Sequence, residues 1–138
     1  TYIDAPVEEV FATITSAQGW DAWFTCGIYL DLESKEIVFR WKDFGADKIT
    51  TNESAEIKEF VQNERFSYSW HGGVFDQPTI VSFTLRPQNK GTLIVLEDRG
   101  YPGSDKGESW FMDCACGWGE ALTLLKVYLE TGYRYINY

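Results

Sequence analysis

The chain has 138 residues, of which 21 are acidic and 12 basic, giving a formal net charge of −9 at pH 7. This length lets a single domain, residues 1–138, bury a hydrophobic core, and the charge excludes a nucleic-acid partner because a polyanion would be repelled. No apolar run approaches the ~20 residues of a membrane helix, so we predict no membrane insertion.

Cysteine and histidine are scarce in the sequence. The three cysteines, Cys26, Cys114 and Cys116, cannot all pair within one chain, and this odd count favours a reducing, cytoplasmic compartment. Cys114 and Cys116 would lie ~200° apart around a helix, so they cannot bind one metal ion together. Strand parity predicts that His71, the single histidine, faces solvent. We therefore expect no metal site and no cofactor.

The N-terminal residues predict the end of a strand, over 1–4, followed by two short helices. Asp4 is the expected N-cap of the first helix, in which apolar residues recur at helical spacing. The second helix is predicted over residues 16–24, with aromatic side chains on one side.

Between residues 28 and 99 the hydrophobic period becomes two, which is typical of strands with one buried face. Short polar or glycine-containing segments between these strands predict hairpin turns. The six predicted strands cover residues 28–33, 37–42, 53–61, 66–71, 81–86 and 91–99.

The period becomes helical again from about residue 105 to 131, and Gly132 can end this helix. The meander and the helix each have one apolar face, so we expect an α+β fold in which the sheet curls around the helix. The predicted apolar stripe of the helix comprises Phe111, Cys114, Trp118, Leu122, Leu125 and Leu129.

Several segments resemble one protein family in their order and spacing. Residues 3–11 (IDAPVEEVF) resemble the opening of the START/Bet v 1-like (SRPBCC) superfamily. Later segments resemble its activator of Hsp90 ATPase homologue (AHSA1-like) branch, although Ser34-Lys35 stands where the family often has a Gly-Gly turn. These segments are Phe39-Arg40-Trp41 with Phe44-Gly45, residues 64–70 (ERFSYSW), 81–85 (VSFTL), 91–96 (GTLIVL), Gly117-Trp118 and 121–129 (ALTLLKVYL).

The resemblance implies a helix-grip fold, a curved antiparallel sheet wrapped around a long C-terminal helix with two short helices after the first strand. It also implies a cavity between the sheet and that helix. In the superfamily this cavity binds lipids, sterols, flavonoids or polyketides, and some relatives are cyclases or aromatases. The eukaryotic namesake, a stress-response protein, stimulates Hsp90 with the help of an N-terminal domain that nothing in these 138 residues resembles.

We therefore predict non-covalent binding of a small apolar or aromatic molecule, with no catalytic residues. Two alternatives remain: a polyketide cyclase or aromatase that uses the same cavity, and a domain that binds a chaperone or another protein. Aromatic residues make up 17% of the chain, and those with inward parity either line the cavity or simply fill the core. The predicted lining residues are Trp20, Trp23, Phe24, Phe39, Trp41, Tyr68, Trp70, Phe83, Asp98, Trp110, Phe111, Cys114 and Trp118.

Asp98 and two glycines of the last predicted helix lead to further expectations. Asp98 shares the parity of Ile94 and Leu96, which places it at the cavity mouth unless it is a solvated strand end. Gly117 and Gly119 weaken the predicted helix by ~1 kcal/mol each relative to alanine, so we expect the sheet or a ligand to approach it closely there.

Overall fold

The computed structural model describes residues 1–135, which form three helices and a seven-stranded sheet. The helices are α1 (Val7–Ile14), α2 (Ala17–Trp23) and α3 (Asp105–Thr131). The strands are β1 (Tyr2–Ile3), β2 (Tyr29–Asp31), β3 (Glu36–Phe44), β4 (Ile49–Val61), β5 (Arg65–Trp70), β6 (Thr79–Gln88) and β7 (Gly91–Arg99).

All neighbouring strands are antiparallel, in the order β1-β7-β6-β5-β4-β3-β2. The short β1 joins the edge beside β7, so the meander from β2 to β7 is closed at one side by the first residues of the chain. This arrangement is the helix-grip fold, which confirms the predicted fold class.

Short capping motifs explain where the helices begin and end. The hydroxyls of Ser16 and Ser104 accept hydrogen bonds from the backbone N–H of Gly19 and Gly107 and cap α2 and α3. The predicted N-cap role of Asp4 is wrong, because α1 begins after Pro6, which supplies no side-chain cap. Gly132 ends α3 as predicted, in a left-handed conformation with φ 72°.

The core lies between the inner face of the sheet and the two short helices. Trp20 of α2 packs edge-on against Phe39 of β3 and Phe83 of β6, with ring centroids 5.2 and 6.1 Å apart. Phe11 of α1 closes one side of this core and is almost fully buried. The short helices therefore bury the large aromatic side chains that the sheet directs inward.

The long helix α3 is buried over only part of its length. Its buried residues are Gly107, Trp118, Ala121 and Leu125, so the sheet covers mainly the C-terminal half. The predicted buried stripe is wrong at Phe111, whose side chain is 53% exposed. An apolar stripe shows which face of a helix is hydrophobic, but not how far along the helix the sheet follows it. The space left beside the N-terminal half is where the cavities lie.

Within the described residues, no helix is both long enough and apolar enough to cross a membrane.

Candidate functional site: two cavities and a polar cluster

Two open cavities lie between α3 and the sheet, one on each side of Trp118. The first has a volume of about 300 Å³ and the second about 350 Å³. Trp118 and Cys114 form part of the walls of both cavities, because they lie on the face of α3 between the two cavities. The first cavity is also lined by Phe24, Phe44, Trp70, His71, Trp110, Asp113, Gly117, Glu120 and Ala121. The second is also lined by Leu96, Asp98, Tyr101, Phe111, Ala115, Gly119 and Leu122.

The two glycines of α3 each form part of one cavity wall. A Cβ atom on Gly117 or on Gly119 would meet no heavy atom within 4 Å. The expected close approach of the sheet at these positions is therefore wrong. The missing side chains instead leave space, Gly117 in the first cavity and Gly119 in the second.

The thirteen residues predicted to line a cavity fall into two groups. Phe24, Trp70, Trp110, Cys114 and Trp118 line the first cavity, and Asp98 and Phe111 lie in the wall of the second. The other six are buried and in ring-to-ring contact with one another or with the first group, and their contact with any ligand stays a prediction. These six are Trp20, Trp23, Phe39, Trp41, Tyr68 and Phe83.

His71 is the main site residue that the sequence analysis missed. The prediction that it faces solvent is wrong, since it is 6% exposed and its Nε2 lies 3.1 Å from Cys114 Sγ. Strand alternation fails there because β5 ends at Trp70 and His71 adopts a left-handed conformation with φ 57°. The glycine pair that follows, residues 72–73, was the signal in the sequence that the strand parity ends before His71.

Asp98 faces inward and is held by hydrogen bonds, so the interpretation of this residue as a solvated strand end is wrong. Its Oδ2 accepts hydrogen bonds from Tyr101 Oη at 2.6 Å and from Trp118 Nε1 at 3.0 Å. Its Oδ1 is buried and has no hydrogen-bond partner among the described residues. We call His71, Asp98, Tyr101 and Cys114 the polar cluster.

Burial shifts the pKa of three residues of the cluster, His71, Cys114 and Tyr101. It lowers the pKa of His71, against the opposing effect of Asp98, and it raises the pKa of Cys114. Burial, together with the hydrogen bond to Asp98, also raises the pKa of Tyr101. At neutral pH the cluster thus presents a neutral imidazole, a thiol and a phenol. The sequence had offered only Tyr68 and Asp98 as inward acid or base groups. His71, Tyr101 and Cys114 are further candidate groups for the alternative that the protein is a cyclase or aromatase, which stays a prediction.

The walls of the first cavity carry two carboxylates but no lysine or arginine side chain. Asp113 and Glu120 lie in its rim, and none of its lining residues is lysine or arginine. Such a wall repels carboxylates and sulfates and favours neutral or cationic molecules.

Comparisons with known proteins identify the family and the fold. The family model described as activator of Hsp90 ATPase homolog 1-like protein matches residues 4–130. No curated protein sequence gives a significant match.

Solved structures share the fold at low sequence identity. The Aha1 dimer from Colwellia psychrerythraea is 18% identical, with a TM-score of 0.74 over 96% of this chain and 93% of that one. SSP2350 from Staphylococcus saprophyticus is also 18% identical, with a TM-score of 0.76 over 96% and 89% of the two chains. CalU16 from Micromonospora echinospora is 24% identical, with a TM-score of 0.70 over 96% and 74%.

Proposed function

Because the chain belongs to the activator of Hsp90 ATPase homolog 1-like family, we propose that it binds a small, neutral or cationic aromatic molecule in the first cavity. The helix-grip fold supports ligand binding in general. The aromatic wall of the first cavity is the observation that carries this more specific proposal.

That wall is formed by rings from β5, from α3 and from the residue that follows α2. Trp70 of β5 and Trp118 of α3 have ring centroids 5.8 Å apart, and Phe24 lies 6.4 Å from Trp118. Trp110, about two turns closer to the start of α3, completes the wall. Flat aromatic surfaces from different directions favour a flat aromatic ligand, because offset-stacked and edge-to-face contacts are then both available.

The size and charge of the cavity narrow the ligand class. A volume of about 300 Å³ lies at the lower end of the ~300–1,000 Å³ typical of small-molecule sites. Long lipids therefore fit poorly. The carboxylates of Asp113 and Glu120 further disfavour fatty acids, which carry the same charge.

Calorimetric titration with flavone, which is neutral and aromatic, and with laurate, which is aliphatic and anionic, tests this proposal. The protein is first treated with EDTA, so that no metal ion contributes. We expect flavone to bind with one molecule per chain and laurate to bind far more weakly. Tighter binding of laurate than of flavone would contradict the proposal.

The two glycines of α3 supply a matched pair of variants that locate the ligand. Gly117→Leu places a side chain in the first cavity and Gly119→Leu places one in the second, while both changes raise helix propensity. We expect Gly117→Leu to weaken flavone binding at least about tenfold, which corresponds to ~1.4 kcal/mol. Gly119→Leu should leave it nearly unchanged. Weaker flavone binding in Gly119→Leu than in Gly117→Leu would indicate that flavone binds in the second cavity and would contradict the assignment.

A further inference from the structure

We propose that His71, Asp98 and Cys114 form a zinc-binding site at the point where the two cavities meet. Each residue offers one ligand atom, and the three atoms all lie within 4.8 Å of one another. This inference goes beyond the proposed function and does not depend on an aromatic ligand.

The spacing of the three atoms is close to that of a tetrahedral site. Ligand atoms around zinc are roughly 3.3–3.7 Å apart, given bond lengths of about 2.0–2.3 Å. The contact between His71 Nε2 and Cys114 Sγ is 3.1 Å, and the carboxylate lies within the 4.8 Å limit of both. Small side-chain rotations thus suffice to bring all three atoms into coordinating positions.

Asp98 has the surroundings expected of a metal-binding carboxylate. Tyr101 and Trp118 both donate hydrogen bonds to Oδ2 and fix the orientation of the carboxylate, which is what outer partners do in metal sites. Oδ1 is buried without a hydrogen-bond partner in the described part of the chain. A buried, unpaired carboxylate oxygen is unfavourable, and a bound cation would satisfy it.

The backbone holds the His71 side chain in the interior. Among the described residues, six non-glycine positions have positive φ, and His71 is the one with a buried side chain. A non-glycine residue in this region is uncommon, and such positions concentrate at functional sites.

The mixed ligand set favours zinc over harder cations. Magnesium and calcium prefer oxygen ligands only, whereas zinc accepts nitrogen, sulfur and oxygen together. Three protein ligands leave the fourth tetrahedral position for water or for a ligand atom. Here that position would face the cavities, because His71 lines the first, Asp98 the second and Cys114 both.

Titration of the EDTA-treated protein with Co²⁺, which replaces zinc and absorbs visible light, tests the proposal. We expect one Co²⁺ per chain, with the visible bands of tetrahedral coordination and a near-ultraviolet band from thiolate-to-cobalt charge transfer. Addition of Zn²⁺ should remove these bands. A wild-type protein that shows no saturable binding of either ion would overturn the proposal.

Variants assign the ligands. Cys114→Ser should abolish the charge-transfer band, and His71→Gln should weaken Co²⁺ binding. Cys116→Ser is the matched control, because Cys116 lies two residues further along α3 and is exposed; it should leave the spectrum unchanged. A band that survives in Cys114→Ser, or that is lost in Cys116→Ser, would contradict the assignment.

A measurement on the unaltered chain covers the case in which a variant fails to fold. Alkylation of each cysteine by iodoacetamide can be followed by mass spectrometry with and without Zn²⁺. We expect Zn²⁺ to slow the alkylation of Cys114 at least about tenfold, because the bound thiolate is not available for reaction, and to leave Cys116 unaffected. Equal rates at Cys114 with and without Zn²⁺ would overturn the proposal.

Since flavone binding is measured without metal, failure of the zinc-site proposal is distinguishable from failure of the proposal that the protein binds an aromatic molecule.

Discussion

Trp118 has a double role, as part of the core and as the wall between the two cavities. Its ring meets Phe83 edge-on, with centroids 6.2 Å apart, and its indole N–H donates to Asp98 Oδ2. The side chain is buried, yet it borders open space on two sides. The hydrogen bond fixes the indole in this position, between the two cavities.

The first prediction concerns this hydrogen bond. Trp118→Phe keeps an aromatic ring but loses the indole N–H, so the Asp98 carboxylate loses a donor. We expect the free energy of unfolding, measured by urea denaturation, to fall by about 1.5–3 kcal/mol, the usual range for a hydrogen bond to a charged group.

Trp110→Phe is the matched control for this prediction. Trp110 lines the first cavity, is half-buried, and donates no hydrogen bond from its indole to any other described residue. The substitution Trp110→Phe should lower the free energy of unfolding by less than about 1 kcal/mol, since it removes only part of a ring contact. Equal destabilisation by the two substitutions would show that the bond to Asp98 contributes nothing to stability.

At the level of single residues, the sequence predicted positions inside regular strands and failed just beyond them. Alternation along β7 left Asp98 either at the cavity mouth or as a solvated strand end, and the hydrogen bonds of the structure show that it faces inward. His71 directly follows β5 and Tyr101 lies two residues after the end of β7, where the strand period no longer applies. The polar cluster could not be assembled from sequence, because half of it lies in these irregular segments.

The α3 helix shows the same division between local and long-range information. Its predicted span, about 105–131, agrees with Asp105–Thr131, because its caps and its hydrophobic period are local signals. Its packing depends on how far the sheet curls, which no local pattern encodes. Phe111 is therefore exposed although it belongs to the apolar stripe.

The second prediction compares two glycines of this helix. Gly117→Ala should raise the free energy of unfolding by up to about 1 kcal/mol, because the new methyl group meets only open space and alanine favours the helix. Gly107→Ala should lower it, since a Cβ there would overlap the carbonyl oxygen of Pro102.

Urea denaturation midpoints of the two variants and the wild type measure both effects. The opposite signs are the essential result, as both substitutions have the same intrinsic helix propensity. Destabilisation by Gly117→Ala would mean that the first cavity is closed at this position.

At the scale of the whole molecule, hydrogen bonds join its N-terminal residues to α3. Lys126 Nζ donates to the Tyr2 carbonyl oxygen at 2.6 Å and to Glu130 Oε1 at 2.7 Å. The backbone N–H of Asp4 donates to the same Glu130 oxygen at 2.8 Å. These contacts fasten the C-terminal half of α3 to β1, while its N-terminal half borders the cavities.

The third prediction follows from the charge of Glu130. The hydrogen bond from Lys126 and then that from Asp4 lower the pKa of Glu130 from its usual 4.5. An acid whose pKa is lower in the folded state contributes stability above its unfolded pKa and loses it as the pH falls through the folded pKa. Glu130→Gln should therefore be less stable than the wild type at pH 7, and the difference should shrink towards about pH 3.

Urea denaturation of both proteins at several pH values measures this difference. Glu33→Gln is a suitable control, because Glu33 is exposed and forms no ion pair among the described residues. A difference for Glu130→Gln that stays constant from pH 7 to about pH 3 would contradict a contribution from its charge.

A crystal structure of the EDTA-treated protein with flavone tests the central claim most directly. The account predicts flavone in the first cavity, between Trp70, Trp110 and Trp118 and against the backbone of Gly117. Ordered flavone found only elsewhere, or a first cavity filled by rearranged protein side chains, would contradict it.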